Sequence, residues 1–511
     1  MSSPLFRKVL VANRGEIARR VFRTCREHGI GTVAVYSEAD RGSPHVLDAD
    51  EAYCIGPAAA RESYLVTDKI IEAALQSGAD AIHPGYGFLS ERPELVEACE
   101  KAGITFVGPP AKAMVVMGDK VMARRAMIDA GVPVVPGADD INDVAAAQKV
   151  AADIGFPLMV KASAGGGGKG MRVVHDEAEL PRAFEGAARE ALASFGDDRI
   201  FIERAVMAAR HVEIQVMADA HGNVVHLGER DCSVQRRHQK VIEESPSPSH
   251  QMSPEIRQQM GDVATKAARA VGYRSAGTVE FLFEETPKGP RFYFLEMNTR
   301  LQVEHPVTEA ITGRDLVLDQ LRVAAGEPLG YSQDDVTFSG HAVECRVYAE
   351  DPQSFLPRPG PIHRIRWPEG SNLRIDTAVR DGSEVSTHYD PMIAKVTTWG
   401  PNRNAAIARM HSALKDTVLL GIPTNIPLHL KILTEPDFVE GGKVTTRYID
   451  LHPELTAPPT RDADDPKAIA VAAAAAVRAA RLTRSAPTAT GSHDGRPDEG
   501  RAWRESARWR G

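Results

Sequence analysis

Short apolar runs alternate with amphipathic stretches through the first hundred residues. Lys8-Val9-Leu10-Val11-Ala12 reads as a strand, Asn13-Arg14-Gly15 turns it, and Glu16 to His28 carries Ile17, Val21, Phe22 and Cys25 at helical spacing before Gly29. Thr32 to Tyr36, Ala79 to His83 and Ile104 to Gly108 repeat the strand rhythm, which predicts a doubly wound α/β layer up to about residue 117. Asp119-Lys120 opens a helix. Phe156 to Lys161, Arg172 to Val174 and Arg199 to Glu203 are strands of a compact unit from about Val134 to Ala205. His211 to Val216 alternates as a central strand. Thr278 to Phe283 and Phe292 to Leu295 flank Glu284 to Arg291, whose Thr286-Pro287-Lys288-Gly289-Pro290 predicts a hairpin loop. Past residue 335 the strands His341 to Tyr348, Arg364 to Trp367, Arg374 to Thr377 and Ile393 to Thr397, with a helix near Ala405 to Lys415, predict a small α+β domain ending near Leu451.

Composition narrows this picture little. The 511 residues suffice for roughly three domains. A net charge of −8 argues against bulk-charge binding of nucleic acid. The five cysteines are scattered without metal spacing, as reduced thiols of a cytoplasmic protein would be. No apolar run approaches the ~20 residues of a membrane helix. Beyond Ala457-Pro458-Pro459-Thr460 the chain reads as an Ala-rich helix (Asp465 to Arg484), a Ser/Gly/Pro-rich stretch expected to be disordered, and a terminal peptide with Trp503 and Trp509.

The chemistry concentrates in Glu296-Met297-Asn298-Thr299-Arg300-Leu301-Gln302-Val303-Glu304-His305-Pro306. Glu296 and Asn298 alternate on one strand face, and the hairpin brings Glu280 beside Glu296; such oxygen ligands suit a hard cation. Without one, the two carboxylates would raise each other's pKa. Gln302 and Glu304 are expected to share a strand face. Ala162-Ser163-Ala164-Gly165-Gly166-Gly167-Gly168-Lys169-Gly170 joins two strands and fits a mobile lid laying N–H groups along phosphates; Gly170 stands where a P-loop needs Ser or Thr. Glu203 could accept from an adenine amino group. Glu229 to Lys240 is dense in charge, and beside a polyphosphate Lys240, His238 and the arginines would neutralise anionic oxygens. His83 to Phe88 lies at the strand end where α/β ligands bind. Arg20, Arg23 and Glu27 are expected as exposed helix charges.

Taken in order, Val11 to Ala18, His83 to Ser90, Lys161 to Met171, Glu229 to Lys240, Glu296 to Glu309 and Gly340 to Arg346 resemble the biotin carboxylases of the ATP-grasp superfamily, over about Phe6 to Leu451. The resemblance implies an N-terminal domain (1–117), an ATP-grasp domain (118–335) with a lid at about 134–205, a C-terminal domain (336–451) and a tail (452–511). It implies that ATP phosphorylates bicarbonate to carboxyphosphate, whose CO2 passes to biotin, the first half-reaction of an acyl-CoA carboxylase of the acetyl- or propionyl-CoA type. By the same resemblance Lys120, Lys161, Glu203, Val206, His211, Gln235, His238, Glu280 and Glu296 contact ATP, with Gly165, Gly166, Gly167, Gly168 and Gly170 closing over it. Glu280, Glu296 and Asn298 hold magnesium or manganese, in two ions. Lys240, Arg300, Gln302 and the Val303 backbone hold bicarbonate, Glu304 is the base, and Arg346 and Tyr86 meet biotin.

The sequence contains no Met-Lys-Met, the attachment motif of biotin carriers. The expected partners are therefore a carboxyltransferase subunit, a separate biotin carboxyl carrier protein and, by resemblance, a second copy of the chain in a homodimer. Two other readings compete: an ATP-grasp ligase joining a carboxylate to an amine, which would not need Arg300 to Glu304 or Arg346, and a silent scaffold subunit, which would have lost a metal carboxylate or the base.

Overall fold

Strands β1 (Lys8–Val11), β2 (Gly31–Ser37), β3 (Glu51–Gly56), β4 (Ala81–His83) and β5 (Thr105–Phe106) lie parallel in the order β3-β2-β1-β4-β5. The computed structural model describes residues 5–162, 171–196 and 199–457. Val9, Leu10 and Val11 are fully buried, because a parallel strand needs cover on both faces. Part of that cover is the helix Gly15–Glu27, which buries Ile17, Val21, Phe22 and Cys25. At the end of β1, the Asn13 amide donates to the carbonyls of Pro84 and Tyr86, each at 2.8 Å, and fixes the turn after β4. Gly85 sits in that turn at φ +62°, where a Cβ would lie 2.9 Å from the Asn13 amide nitrogen, so only glycine fits.

A second, antiparallel sheet holds β6 (Gly137–Ile141), β7 (Leu158–Ala162), β8 (Arg172–Val174) and β9 (Ile200–Arg204) in the order β6-β9-β7-β8. Its inward residues Leu158, Val160, Ile200 and Ile202 pack on Leu180, Phe184 and Ala187 of the helix Leu180–Phe195. The glycine-rich connection between β7 and β8 and the tail beyond residue 457 lie outside the described residues, and so do the readings made of them.

The third sheet carries the site. It starts with β10 (Ala209–Ala218), β11 (Val224–Arg236), β12 (Gln239–Ser245), β13 (Ser275–Glu284), β14 (Arg291–Asn298) and β15 (His341–Tyr348). After them come β16 (Gly360–Pro361), β17 (Arg364–Arg366), β18 (Leu373–Thr377), β19 (Glu384–Val385), β20 (Met392–Gly400) and β21 (Val418–Leu420). Eight of these form one sheet, β14-β13-β10-β11-β12-β15-β20-β18. The change of character near residue 335 therefore does not interrupt the sheet: β12 pairs with β15, with Glu243 opposite Glu344. The helix Pro254–Ala270 supplies Met260, Ala264 and Ala268 to the core over β10 and β13, and the helix Arg403–Asp416 covers β15 and β20.

One surface expectation fails. Arg20 is 3% exposed, not a solvated charge. Its guanidinium donates to Glu309 at 2.7 Å and Asp315 at 2.8 Å, because the helix packs that face against the segment 309–315. Arg23 and Glu27 are exposed. Among the described residues no helix is long and apolar enough to cross a membrane. All five cysteines are free.

Candidate active site

The hairpin β13–β14 sets Glu280 directly opposite Glu296 and Thr278 opposite Asn298. The ladder ends at Asn298. Gln302 and Glu304 thus do not share a strand face as the alternation suggested; they lie in a turn that enters the helix His305–Thr312. Pro306 explains the difference. It has no N–H to give a ladder, and its fixed φ suits the first turn of a helix. The turn brings Glu304 inward, where it is fully buried.

Lys240 is the centre of the charge cluster. Its Nζ donates to Glu213 at 2.5 Å, Glu304 at 2.6 Å and Glu280 at 2.9 Å. Burial alone would push this ammonium down, but the three carboxylates outweigh it and hold it well above its ordinary range. Glu304 balances likewise: burial pushes its carboxyl up, and Lys240 and Arg346 hold it below the usual value. The second oxygen of Glu304 accepts from Arg346 at 3.0 Å, while Arg346 Nε donates to Glu243 at 2.5 Å. Glu280 also accepts from the amides of Asn298 (2.9 Å) and Gln302 (3.2 Å) and lies 3.0 Å from His211 Nε2. Although burial disfavours the imidazolium, Glu280 and Glu213 raise His211 to about 9.

A cavity of about 680 Å³ opens over this cluster. Lys120, Lys161, Glu203, His211, Gln235, His238, Lys240, Glu280, Glu296, Asn298, Arg300, Gln302, Val303 and Arg346 all contribute to its wall. Glu304 stands behind Lys240 and Arg346. Val206 and Tyr86 are not part of the wall; Tyr86 turns its ring toward Lys395, 5.9 Å away. At the end of the cavity beside the second sheet, Lys161 pairs with Glu203 across β7 and β9. Asp119 caps the helix Lys120–Asp129 by accepting from the Met122 amide, which sets Lys120 at the cavity. Glu296 opens onto the same space, and burial by the cavity walls together with the Glu280 charge pushes its carboxyl up. Against burial, Lys240 and His211 hold the Glu280 carboxyl below the usual carboxylate range, and Glu280, Glu296 and the Asn298 amide oxygen together offer an all-oxygen donor set, which fits a hard divalent cation.

The charged segment Glu229 to Lys240 behaves differently from expectation. It folds as the hairpin β11–β12, with Arg237 and His238 at the bend in positive φ. Arg230 does not reach a polyphosphate. It is 0% exposed and donates to Glu213 at 2.6 Å, Gln215 at 2.7 Å, Thr308 at 2.9 Å and Thr278 at 3.0 Å. Arg236 is likewise turned inward, onto Glu350. Both arginines sit on a strand buried on its two faces, so they must find internal acceptors.

Sequence reasoning passed over Glu213, Glu243 and Glu91. Glu213 shares a strand face with His211, an i, i+2 signal that could have drawn attention to it. Glu91 accepts from the Thr299 amide (3.1 Å) and Arg300 Nε (3.0 Å); more than two hundred residues separate these partners, so no local pattern announces the contact.

Comparison with known proteins finds relatives over most of the described length. Residues 5–114 match the family model for the biotin carboxylase N-terminal domain, 119–332 that for the ATP binding domain of the carbamoyl-phosphate synthase L chain, and 344–451 that for the biotin carboxylase C-terminal domain. Biotin carboxylase 1 of Bacillus subtilis is 52% identical over 450 residues, 88% of this chain and 99% of that one. The biotin carboxylase of Haemophilus influenzae is 53% identical over 440 residues, 86% of this chain and 97% of that one. Among solved structures, the biotin carboxylase domain dimer of Hydrogenobacter thermophilus 2-oxoglutarate carboxylase, in complex with MgADP, ADP and bicarbonate, superposes with a TM-score of 0.83. It is 48% identical, and the match covers 89% of this chain and 100% of that one.

Proposed function

Because the chain belongs to the biotin carboxylase family, and so catalyses the ATP-dependent carboxylation of biotin with bicarbonate, we propose that its cavity residues divide that reaction among themselves. Lys120 and Lys161 neutralise the phosphates of ATP, with Glu203, His211, Gln235 and His238 holding the rest of the nucleotide. Glu280, Glu296 and Asn298 hold magnesium or manganese. An ion held there would supply positive charge against the phosphates during transfer.

Lys240, Arg300, Gln302 and the Val303 amide hold bicarbonate, and Glu304 takes its proton. In the free protein Lys240 and Arg346 keep Glu304 ionised and weakly basic. An entering anion draws Lys240 toward itself and leaves Glu304 free to accept a proton. The deprotonated bicarbonate oxygen then attacks the γ-phosphate of ATP, giving carboxyphosphate and ADP. Carboxyphosphate then cleaves to CO2 and phosphate, the phosphate takes the N1′ proton of biotin, and the resulting enolate, stabilised by Arg346 at its ureido oxygen, attacks CO2 through N1′.

The observation that carries this reading is the sharing of Glu304 between Lys240 and Arg346. One carboxylate is bonded by the cation assigned to bicarbonate and by the cation assigned to biotin. A carboxylate–amine ligase has no use for that bridge. Biotin arrives on a separate carrier protein, a carboxyltransferase consumes the product, and the chain pairs as a homodimer, a reading supported by the dimer in the solved structure of the 2-oxoglutarate carboxylase domain.

The test is ATP hydrolysis by the purified chain with magnesium, with and without bicarbonate and free biotin, followed by transfer from labelled bicarbonate. Bicarbonate-dependent phosphate release that rises with biotin, with label in carboxybiotin, is expected. ATP binding without any response to bicarbonate, repeated with a biotinylated carrier, would overturn the assignment.

A further inference from the structure

The turn Gln302–Glu304 is gripped from its inner side by two buried residues that do not line the cavity. His305 Nδ1 lies 2.8 Å from the Gln302 carbonyl oxygen, and Lys395 Nζ donates to the Val303 carbonyl oxygen at 2.7 Å. Both side chains are 0% exposed. We propose that His305 and Lys395 are positioning residues for bicarbonate, holding two successive peptides of this turn by their carbonyls so that the Val303 amide and the Glu304 carboxylate serve the cavity.

The argument starts from peptide geometry. In a planar trans peptide the C=O and N–H point in opposite directions. The bond between Gln302 and Val303 is trans. Drawing the Gln302 oxygen toward His305 therefore turns the Val303 N–H the other way, and Val303 lines the cavity. The next peptide, held by Lys395, sets where the backbone of Glu304 leaves the turn.

His305 is suited to this task. A carbonyl only accepts, so Nδ1 must carry the proton. Burial, with the nearby Lys395, Arg20 and Arg374 cations, pushes the imidazole well below its ordinary pKa, so it stays neutral in that tautomer. Lys395 comes from β20, and its ammonium also lies 3.4 Å from Glu16 Oε2 at the start of the helix Gly15–Glu27. Glu16 has no hydrogen-bonded partner for either oxygen, and burial raises its carboxyl to about 7. The closest polar contact of the ammonium is thus the turn, not the carboxylate. Burying an ammonium is costly, whereas a methionine of similar length would fill the same space without a charge.

The inference rests on the reading that this turn binds bicarbonate. Steady-state ATP hydrolysis with magnesium and free biotin tests both, by titrating bicarbonate and ATP separately on the full chain. Lys395→Met and His305→Leu are expected to raise the KM for bicarbonate about tenfold, the scale of a small misplacement, with the KM for ATP changed less than twofold. His305→Asn keeps a donor near the Nδ1 position and restores the bicarbonate KM. Glu16→Gln combined with Lys395→Met removes the ammonium together with its nearest carboxylate; it regains part of the thermal stability but not bicarbonate affinity. Recovery of the bicarbonate KM in that double variant, or a KM unmoved in both Lys395→Met and His305→Leu, overturns the proposal. Gln302→Ala separates the two levels. If it raises the bicarbonate KM while the inner variants do not, the positioning role fails and the turn's assignment stands. If Gln302→Ala has no effect either, the assignment itself fails.

Discussion

Lys240 and Glu304 form a buried ion pair, with the ammonium 2.6 Å from Oε1. The cation assigned to bicarbonate is therefore already spent on the base that must deprotonate it, and substrate entry has to break this pair. Glu213 and Glu280 share the same ammonium.

Lys240→Met should deprive Glu213, Glu280 and Glu304 of the ammonium they share, leaving them Arg230, His211 and Arg346 as cationic neighbours. The expected loss is ~3–5 kcal/mol of unfolding free energy, the cost of removing one partner of a buried ion pair. Urea denaturation measures it. Adding Glu213→Gln should recover part of the loss, since one charge fewer then needs neutralising; no recovery would mean that the three acids do not compete for Lys240.

Arg346→Ala should lower carboxybiotin formation by about 10²–10³-fold, the usual cost of deleting one donor at a developing negative charge. Labelled bicarbonate provides the readout. Unchanged carboxylation would remove Arg346 from the biotin site.

Glu296→Gln should raise the magnesium concentration needed for half-maximal ATP hydrolysis by roughly tenfold, equivalent to ~1.4 kcal/mol. Excess chelator should abolish hydrolysis in the unsubstituted chain. A magnesium titration that coincides for the two chains would show that Glu296 is not a ligand.

His429 gives a pH-dependent outcome. Its Nε2 donates to the Arg346 carbonyl at 2.7 Å, and burial lowers its pKa from 6.5 to about 4. Above pH 6.5 folded and unfolded states are both neutral, and its contribution is constant. As pH falls from 6.5 toward 4 the unfolded chain takes a proton that the native state refuses, so stability declines through this window by roughly 3 kcal/mol. His429→Gln lacks this titration. The stability difference between the two chains, from urea melts at pH 7 and pH 4.5, should therefore narrow on acidification; a constant difference would mean the native imidazole protonates normally.

Much of the site was legible because it follows two-residue alternation. Glu280 and Glu296 could be set side by side from a proline- and glycine-bearing loop between two apolar strands, and the register agrees. Resemblance to a known family then gathered Lys120, Lys161, Lys240 and Arg346 into one cavity, which spacing alone could not do. Three things escaped. Pro306 begins a helix where alternation suggested a strand. Arg230 and Arg236 look like solvated phosphate binders in a charged run, yet their strand is covered on both faces. Arg20 sits on a helix whose polar face meets Glu309 and Asp315, almost three hundred residues away. For the three arginines the deciding acceptors lie elsewhere in the chain, where local pattern carries no trace of them, whereas Pro306 was itself a local signal of the helix start.

The pairing of β12 with β15 has a consequence for dissection of the molecule. A fragment ending near residue 335 would strip β12 of its neighbour and leave a row of unmatched backbone donors and acceptors beside Glu243. Such a raw edge invites strand addition from another fragment, hence self-association. The boundary that the sequence suggests is a change of composition, not a place where the protein can be cut into independent halves.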